Sequence, residues 1–285
     1  MTAWTRESGL EERATRFRER HRGPAILVLP NAWDVTSARI FEETGFEAVG
    51  TTSAGIANSL GVPDGEEVPF ADVMRVVERI AAAVRVPVSA DIETGFSEKP
   101  EEVAERCRAV LAAGAVGVNL EDGTREPSKP LVDVELHCEK VRAARAAGQA
   151  AGVTLVINAR TDVFLDSVGE PSTRLDEALR RANAYRKAGA DCLFVPGVTD
   201  ADTINQLVQD IDGPINVLAG PASPPVAELQ RLGVARLSLG SGPMRATLGF
   251  LRRAATEVRE KGTFGWLDGA ISYADANRLV SRAKS

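Results

Sequence analysis

Ser89, Asp91 and Glu93 alternate within the stretch 88–96, and alternate residues of a strand share one face. Two carboxylates at the exit of an apolar run repel each other and lose hydration. A hard cation such as Mg²⁺, with Mn²⁺ as the alternative ion, offsets both penalties. The plain alternative is a solvated loop that happens to be acidic. Other short apolar runs end in polar residues in the same way: Asn31 and Asp34, Thr51 to Ser53, Asn119 with Glu121 and Asp122, Asn158 with Arg160 and Asp162, Asn216, and Ser238 with Ser241. This is an acidic ring with one arginine. Asp91, Glu93 and Glu121 are the expected ligands of a divalent cation. Arg160 offers a planar fork to a substrate carboxylate, or serves as counter-ion to Glu121 or Asp162. The small-residue turn Thr52, Ser53, Ala54, Gly55 can present backbone N–H groups to an anion. Such a set suits a small dicarboxylate or 2-oxo acid that chelates the metal while a neighbouring bond breaks to an enolate. Asn119 and Asn158 read equally as ligands or as a hydrogen-bonded layer, and Asp122 and Asp162 as helix caps or supports behind the ligands. His21 and His137 fall on helices as surface or packing residues, so no histidine base is evident.

These residues need a scaffold that brings many strand ends together. Strands are expected near 26–30, 48–52, 86–92, 116–121, 154–160, 192–196, 215–219 and 236–240. Helices are expected near 36–44, 69–84, 99–113, 132–148, 173–188, 201–211, 224–232 and 242–261. Gly45, Gly114, Gly189 and Gly233 each stand between a helix and the next apolar run, where a left-handed residue ends a helix well. Helix 69–84 carries Val73, Val76, Val77, Ile80 and Val84 on one stripe. Helix 173–188 carries Leu175, Ala178, Leu179, Ala182 and Tyr185, with its Arg and Lys residues outside. Eight strands alternating with eight helices predict an α/β fold, a (β/α)₈ TIM-type barrel, with active residues at the C-terminal ends of the strands. The rival open sheet lacks a GxGxxG turn after the first strand. The expected organisation is one domain over 1–285: an N-terminal helix in 1–24, the barrel in 25–262 and a C-terminal helical extension in 263–285. The amphipathic stretch 266–283 has no place inside a closed barrel and is expected to embrace a partner subunit.

Composition fits a globular enzyme: 285 residues, 44% hydrophobic and 26% charged, with a net charge of −6. No basic block is available to neutralise nucleic-acid phosphates or to anchor at a membrane. No apolar run approaches the roughly 20 residues of a spanning helix, and 1–23 lacks an apolar signal region. Cys107, Cys138 and Cys192 form no CxxC pair and read as buried or half-buried free thiols in a reducing cytoplasm.

Four stretches resemble the isocitrate lyase / phosphoenolpyruvate mutase superfamily. They are Thr-Ser-Ala-Gly-Ile-Ala-Asn-Ser-Leu-Gly-Val-Pro-Asp at 52–64, Ala-Asp-Ile-Glu-Thr-Gly-Phe at 90–96, Val-Asn-Leu-Glu-Asp at 118–122 and Asn-Ala-Arg-Thr-Asp at 158–162. The likeness runs from 25 to about 250 in order and spacing. It implies a Mg²⁺-dependent barrel enzyme that makes or breaks a C–C or P–C bond beside a 2-oxo acid. Asp91 takes the position of the direct metal ligand, and Glu93 and Glu121 the positions that bind it through water. Asp64 matches a catalytic carboxylate near the substrate. Thr52, Ser53, Ala54 and Arg160 match the carboxylate clamp, and Asn216 joins the substrate-binding candidates. A homodimer or homotetramer formed through the C-terminal helix is implied as well. Departures narrow the reaction. Glu93 stands for the commoner Asp, Gly50 for an aromatic, and Pro196 for a His or Glu. The loop 123–130 lacks the Lys-x-Cys-Gly-His acid/base segment of the lyases, although Lys129 or Arg125 could serve there. A carbon–carbon lyase of methylisocitrate lyase or oxaloacetate decarboxylase type fits best. The alternatives are a P–C bond enzyme and a 2-oxo acid binding protein with little catalysis.

Overall fold

The computed structural model describes residues 3–124 and 126–281. Nine parallel strands form one sheet. They are β1 (Leu27–Leu29), β2 (Asn31–Ala32), β3 (Val49–Thr51), β4 (Val88–Asp91), β5 (Gly117–Glu121), β6 (Val156–Arg160), β7 (Cys192–Phe194), β8 (Ile215–Leu218) and β9 (Arg236–Ser238). The order is β1-β9-β8-β7-β6-β5-β4-β3-β2. β1 and β2 are two halves of one strand broken at Pro30. The first half pairs with β9 and the second with β3, so together they close the barrel. Pro30 has no N–H, but its carbonyl accepts from Gly50 N at 2.9 Å and carries the pairing across the break.

The helices alternate with the strands as the periodicity predicts, except that α3 is an unexpected helix before α4: α1 (Ala3–Arg20), α2 (Val35–Glu43), α3 (Ser53–Ser59), α4 (Phe70–Ala83), α5 (Pro100–Ala112), α6 (Val134–Ala150), α7 (Arg174–Ala188), α8 (Ala201–Asp210), α9 (Val226–Arg231), α10 (Gly242–Lys261) and α11 (Tyr273–Val280). The four glycines between helices and strands all take positive φ, 91° to 117°. Asp34 caps α2, accepting from Ser37 N at 2.7 Å. α4 buries Val73, Val77 and Ile80, which fixes it on the sheet. Phe17 of α1 is fully buried beneath the barrel. A Cβ at Gly117 would lie 2.7 Å from its ring, so only glycine lets α1 seat there.

Two sequence expectations are corrected. Thr52 to Gly55 is not a free turn: Thr52 is the N-cap of α3. Arg181 of α7 is not outside. It is buried against Asp122 at 3.0 Å, because a fully buried carboxylate needs a charge partner more than the helix needs an apolar stripe. The C-terminal segment lies outside the strand barrel, against the outer helix α2. α11 packs on α2, buries Leu279, and pairs Arg278 with Glu43 at 2.8 Å. All three cysteines are buried and free. Among the described residues no helix is long and apolar enough to cross a membrane.

Candidate active site

A cavity of about 210 Å³ opens at the C-terminal ends of the strands. Thr52, Ser53, Ala54, Asp64, Asp91 and Arg160 line it. Asp91 ends β4 and is held from three sides. Its N–H donates to Thr51 Oγ1 at 2.9 Å, its Oδ2 accepts from Ser53 N at 3.0 Å, and its Oδ1 accepts from Asn119 Nδ2 at 2.9 Å. The first turn of α3 therefore aims an amide at Asp91 and fixes the position of its carboxylate. One amide of the expected substrate clamp is thus already engaged.

Glu93 does not share this face. The strand stops at Asp91, and Glu93 takes a left-handed φ of 49°. That conformation costs a β-carbon-bearing residue about 1 kcal/mol and swings the side chain elsewhere. Its Oε1 accepts from Glu66 N at 3.2 Å, and it lines a second cavity with Glu66, Glu98, Glu126 and Lys140. Glu66 in turn accepts from Thr94 N, Thr94 Oγ1 and Phe96 N at 2.7 to 3.1 Å, lacing the loop that carries Asp64 to the one after β4. Lys140 is buried there and donates to the Thr94 carbonyl at 2.9 Å.

Glu121 lines neither cavity. Its Oε2 pairs with Arg160 Nη1 at 2.7 Å, while Asp162 takes Arg160 Nε at 2.5 Å and Nη2 at 3.0 Å. Burial drives the Glu121 carboxyl well above its ordinary range. Arg160 opposes this, and the charges of Asp162, Asp91 and Glu93 add to it. Burial likewise pushes Asp162 up to about 6 against the pull of Arg160. Burial would lower Arg160, yet Glu121 and Asp162 hold it above its usual value. Arg160 is therefore a counter-ion to both carboxylates as well as a wall of the cavity, lying 5.8 Å from the Phe194 ring centroid. Asp122 is a support: it accepts from Tyr185 at 2.6 Å, from Arg181 at 3.0 Å and from Asp162 N at 2.9 Å.

Asn158 and Asn216 stand behind the cavity in a buried amide ladder. Asn158 donates to Asn119 Oδ1 at 2.9 Å, and Asn216 donates to Ser238 Oγ at 3.0 Å and reaches Asn158 Oδ1 at 3.5 Å. Asn216 is thus a ladder member rather than a cavity wall. Gly50, noted as a departure from the family pattern, leaves no space for a larger side chain, since even a Cβ would lie 2.8 Å from Asn31 Nδ2. Phe194, not Pro196, is the lining residue on the strand before α8. The loop 123–131 is a short turn closed by a Gly123–Leu131 bridge. Lys129 is exposed and lines neither cavity, and Arg125 lies outside the described residues. His21 and His137 are buried packing residues, both pushed down to about 4 by burial.

The sequence reading passed over Ser89 as a lining residue, and over Arg236 altogether. Both line the cavity. The signal for Arg236 was its alternation with Ser238 on β9.

As a metal centre the donors are chemically apt, being carboxylate oxygens whose charges crowd one another around Glu121. They are not gathered into one shell. Among the described residues no group of three or more His, Cys, Asp or Glu side chains is arranged to hold a metal. Asp91 alone of the three faces the main cavity. A carboxylate offers roughly four lone-pair sites, so its hydrogen bonds leave capacity for a cation.

Comparison with known proteins finds relatives in sequence and in fold. The family model described as phosphoenolpyruvate phosphomutase matches residues 17–259. An uncharacterized protein of Mycobacterium tuberculosis (strain ATCC 25618 / H37Rv) is 35% identical over 266 residues, covering 93% of this chain and 96% of that one. The 2-methylisocitrate lyase of Bacillus subtilis (strain 168) is 29% identical over 216 residues, covering 74% and 68%. The solved structure of an oxaloacetate acetylhydrolase with its product oxalate superposes with a TM-score of 0.83 at 26% identity, covering 94% and 93%.

Proposed function

Because this chain belongs to the phosphoenolpyruvate phosphomutase family, a group with lyases among its members, we propose that it is a Mg²⁺-dependent carbon–carbon lyase acting on a small 2-oxo or 2-hydroxy carboxylate. The observation that carries this reading is the meeting of Asp91, Asp64, Arg160 and the start of α3 around one cavity at the C-terminal strand ends. The cavity of about 210 Å³ is below the roughly 300–1,000 Å³ of drug-sized sites, which favours a small substrate.

Asp91 would hold the cation, with the charges of Glu93 and Glu121 behind it. When bound, the metal supplies Lewis-acid stabilisation of negative charge growing on the substrate oxygen. The chain's own residues do the rest. Ser53 N and Asn119 fix the Asp91 carboxylate before substrate arrives, so no reorganisation is needed. Arg160, set by Glu121 and Asp162, presents its remaining N–H edge to the substrate carboxylate. Asp64 borders the cavity and, where the departing fragment carries a hydroxyl, takes that proton as the fragment becomes an oxo acid. The bond between the carbon beside the carbonyl and the departing carboxylate or oxo acid breaks, and its electron pair passes into the carbonyl as an enolate. Loop 123–131 contains no Cys or His, so the carbon is reprotonated from solvent, which suits a decarboxylase-like course.

A P–C bond enzyme is the second reading, supported by the description of the matching family itself. Assembly into a homo-oligomer is part of the proposal. Phe264, Leu267, Ile271 and Tyr273 of the C-terminal segment are exposed, and a second copy of the chain would cover them. Mg²⁺ titration of wild type and Asp91→Ala by calorimetry tests the metal assignment. Binding is expected in wild type and at least 10-fold weaker in the variant. Equal binding by both would remove Asp91 from the metal site.

A further inference from the structure

Arg236 opens β9 and points into the barrel, two residues nearer the N-terminal end than Ser238. It is 2% exposed. Its Nε donates to Ser238 Oγ at 3.2 Å, while Nη1 is buried and makes no hydrogen bond. Among the described residues no carboxylate forms an ion pair with it. Burial pushes it down to about 10, so it remains a cation at neutral pH. A buried, unpaired guanidinium is strongly unfavourable, and structures keep one where something anionic arrives to meet it. Two other buried polar atoms are unsatisfied: Ser89 Oγ, which lines the same cavity, and Oδ1 of Asn216, whose strand position pairs with Arg236. A hydroxyl and a guanidinium that both lack acceptors form a donor floor.

We propose that Arg236 and the Ser89 hydroxyl form an anion subsite on the floor of the cavity that takes the second carboxylate of a dicarboxylate substrate. Arg160 and the start of α3 are left to the carboxylate beside the reacting carbonyl. This rests on the lyase reading and names its substrate class: diacids are selected over monoacids because only they reach both arginines. The two sites are unequal. Arg160 shares its charge with Glu121 and Asp162, whereas Arg236 has no carboxylate to displace.

The test is ligand-observed NMR titration of the full chain in Mg²⁺ with lactate and pyruvate against malate, a diacid that differs from lactate by one carboxylate. Wild type should prefer malate to lactate. In Arg236→Gln the malate affinity should fall roughly 10- to 100-fold, the loss expected for a charge-assisted hydrogen bond, with lactate and pyruvate within about 3-fold of wild type. Arg236→Lys should keep part of the preference. If Arg236→Gln fails to fold, Ser89→Ala carries the same comparison with a smaller selective loss. Equal losses for monoacids and diacids, or no loss for either, overturn the subsite while leaving the lyase reading in place. Wild type that binds none of the three acids overturns both.

Discussion

Arg160 and Arg236 face one cavity from different walls of the barrel and live in opposite electrostatic settings. On the β5–β6 wall, Arg160 lies between Glu121 and Asp162 with three ion-pair contacts of 2.5 to 3.0 Å. On the β8–β9 wall, Arg236 meets a serine hydroxyl and an amide ladder. The first wall is a neutralised, rigid frame that orients its arginine. The second keeps an arginine with no ion-pair partner among the described residues, acted on only at a distance by Asp91, so an incoming anion gains more there. The same residue type serves positioning in one place and recognition in the other, decided by which acids stand beside it.

Arg160→Gln strikes the framed wall hardest. It strands two buried carboxylates and should cost about 3–5 kcal/mol in urea denaturation at pH 7. A loss under about 1 kcal/mol would mean that the wall is not framed by this ion pair. The pH dependence of that deficit sharpens the contrast. Asp162, at about 6 in the folded chain, is raised above its unfolded value. Its contribution is therefore fully present below about 3.9 and is lost as pH rises through 6. Without Arg160 the carboxylates rise further, so the Arg160→Gln deficit should shrink between pH 7 and pH 5. His21 and His137, at about 4, act with the opposite sign: stability is present above about 6.5 and lost as pH falls towards 4. They affect every variant alike, so the difference from wild type isolates the wall. An Arg236→Gln stability difference that varies over the same window would break the contrast, because Arg236, at about 10, stays charged there.

Gly50→Ala presses on Asn31, whose Oδ1 holds Leu239 N and Gly240 N at 2.9 and 2.8 Å and so fixes the end of the β9 wall. Overpacking of this kind should cost about 1–3 kcal/mol by thermal denaturation. The smallest change is expected for Arg236→Gln itself. Removing an unpaired buried charge should leave stability within about 1 kcal/mol of wild type, or raise it. A loss comparable to that of Arg160→Gln would show that Arg236 is structural.

The barrel was legible in the sequence because its signals are local. An apolar run of four to six residues, a glycine with positive φ after helices such as α5 and α7, and a stripe such as Val73, Val77, Ile80 each constrain only their own neighbourhood. The site was legible in its residue types but less so in its directions. Treating Glu93 as a partner of Asp91 assumed that the strand continues. It stops, and a left-handed residue sends Glu93 to the second cavity. Burial of Arg181 depended on Asp122, 59 residues away, and the seat of α11 on α2 depended on Glu43, 235 residues from Arg278. No local pattern carries such pairings. Arg236 was within reach of the alternation rule but stood at the wrong end of its strand for a reading that inspected only strand exits.

Product analysis tests the central claim most directly. Purified protein with Mg²⁺ is incubated with oxaloacetate, methylisocitrate, isocitrate, dimethylmalate and phosphonopyruvate, and products are followed by proton and phosphorus NMR, with Asp91→Ala as control. The account predicts that at least one four- to seven-carbon acid is cleaved to a 2-oxo acid and a second carbon fragment, and that turnover falls by at least roughly 10³-fold in Asp91→Ala. Cleavage undiminished in Asp91→Ala, or no cleavage of any of the five while wild type binds them, would contradict it.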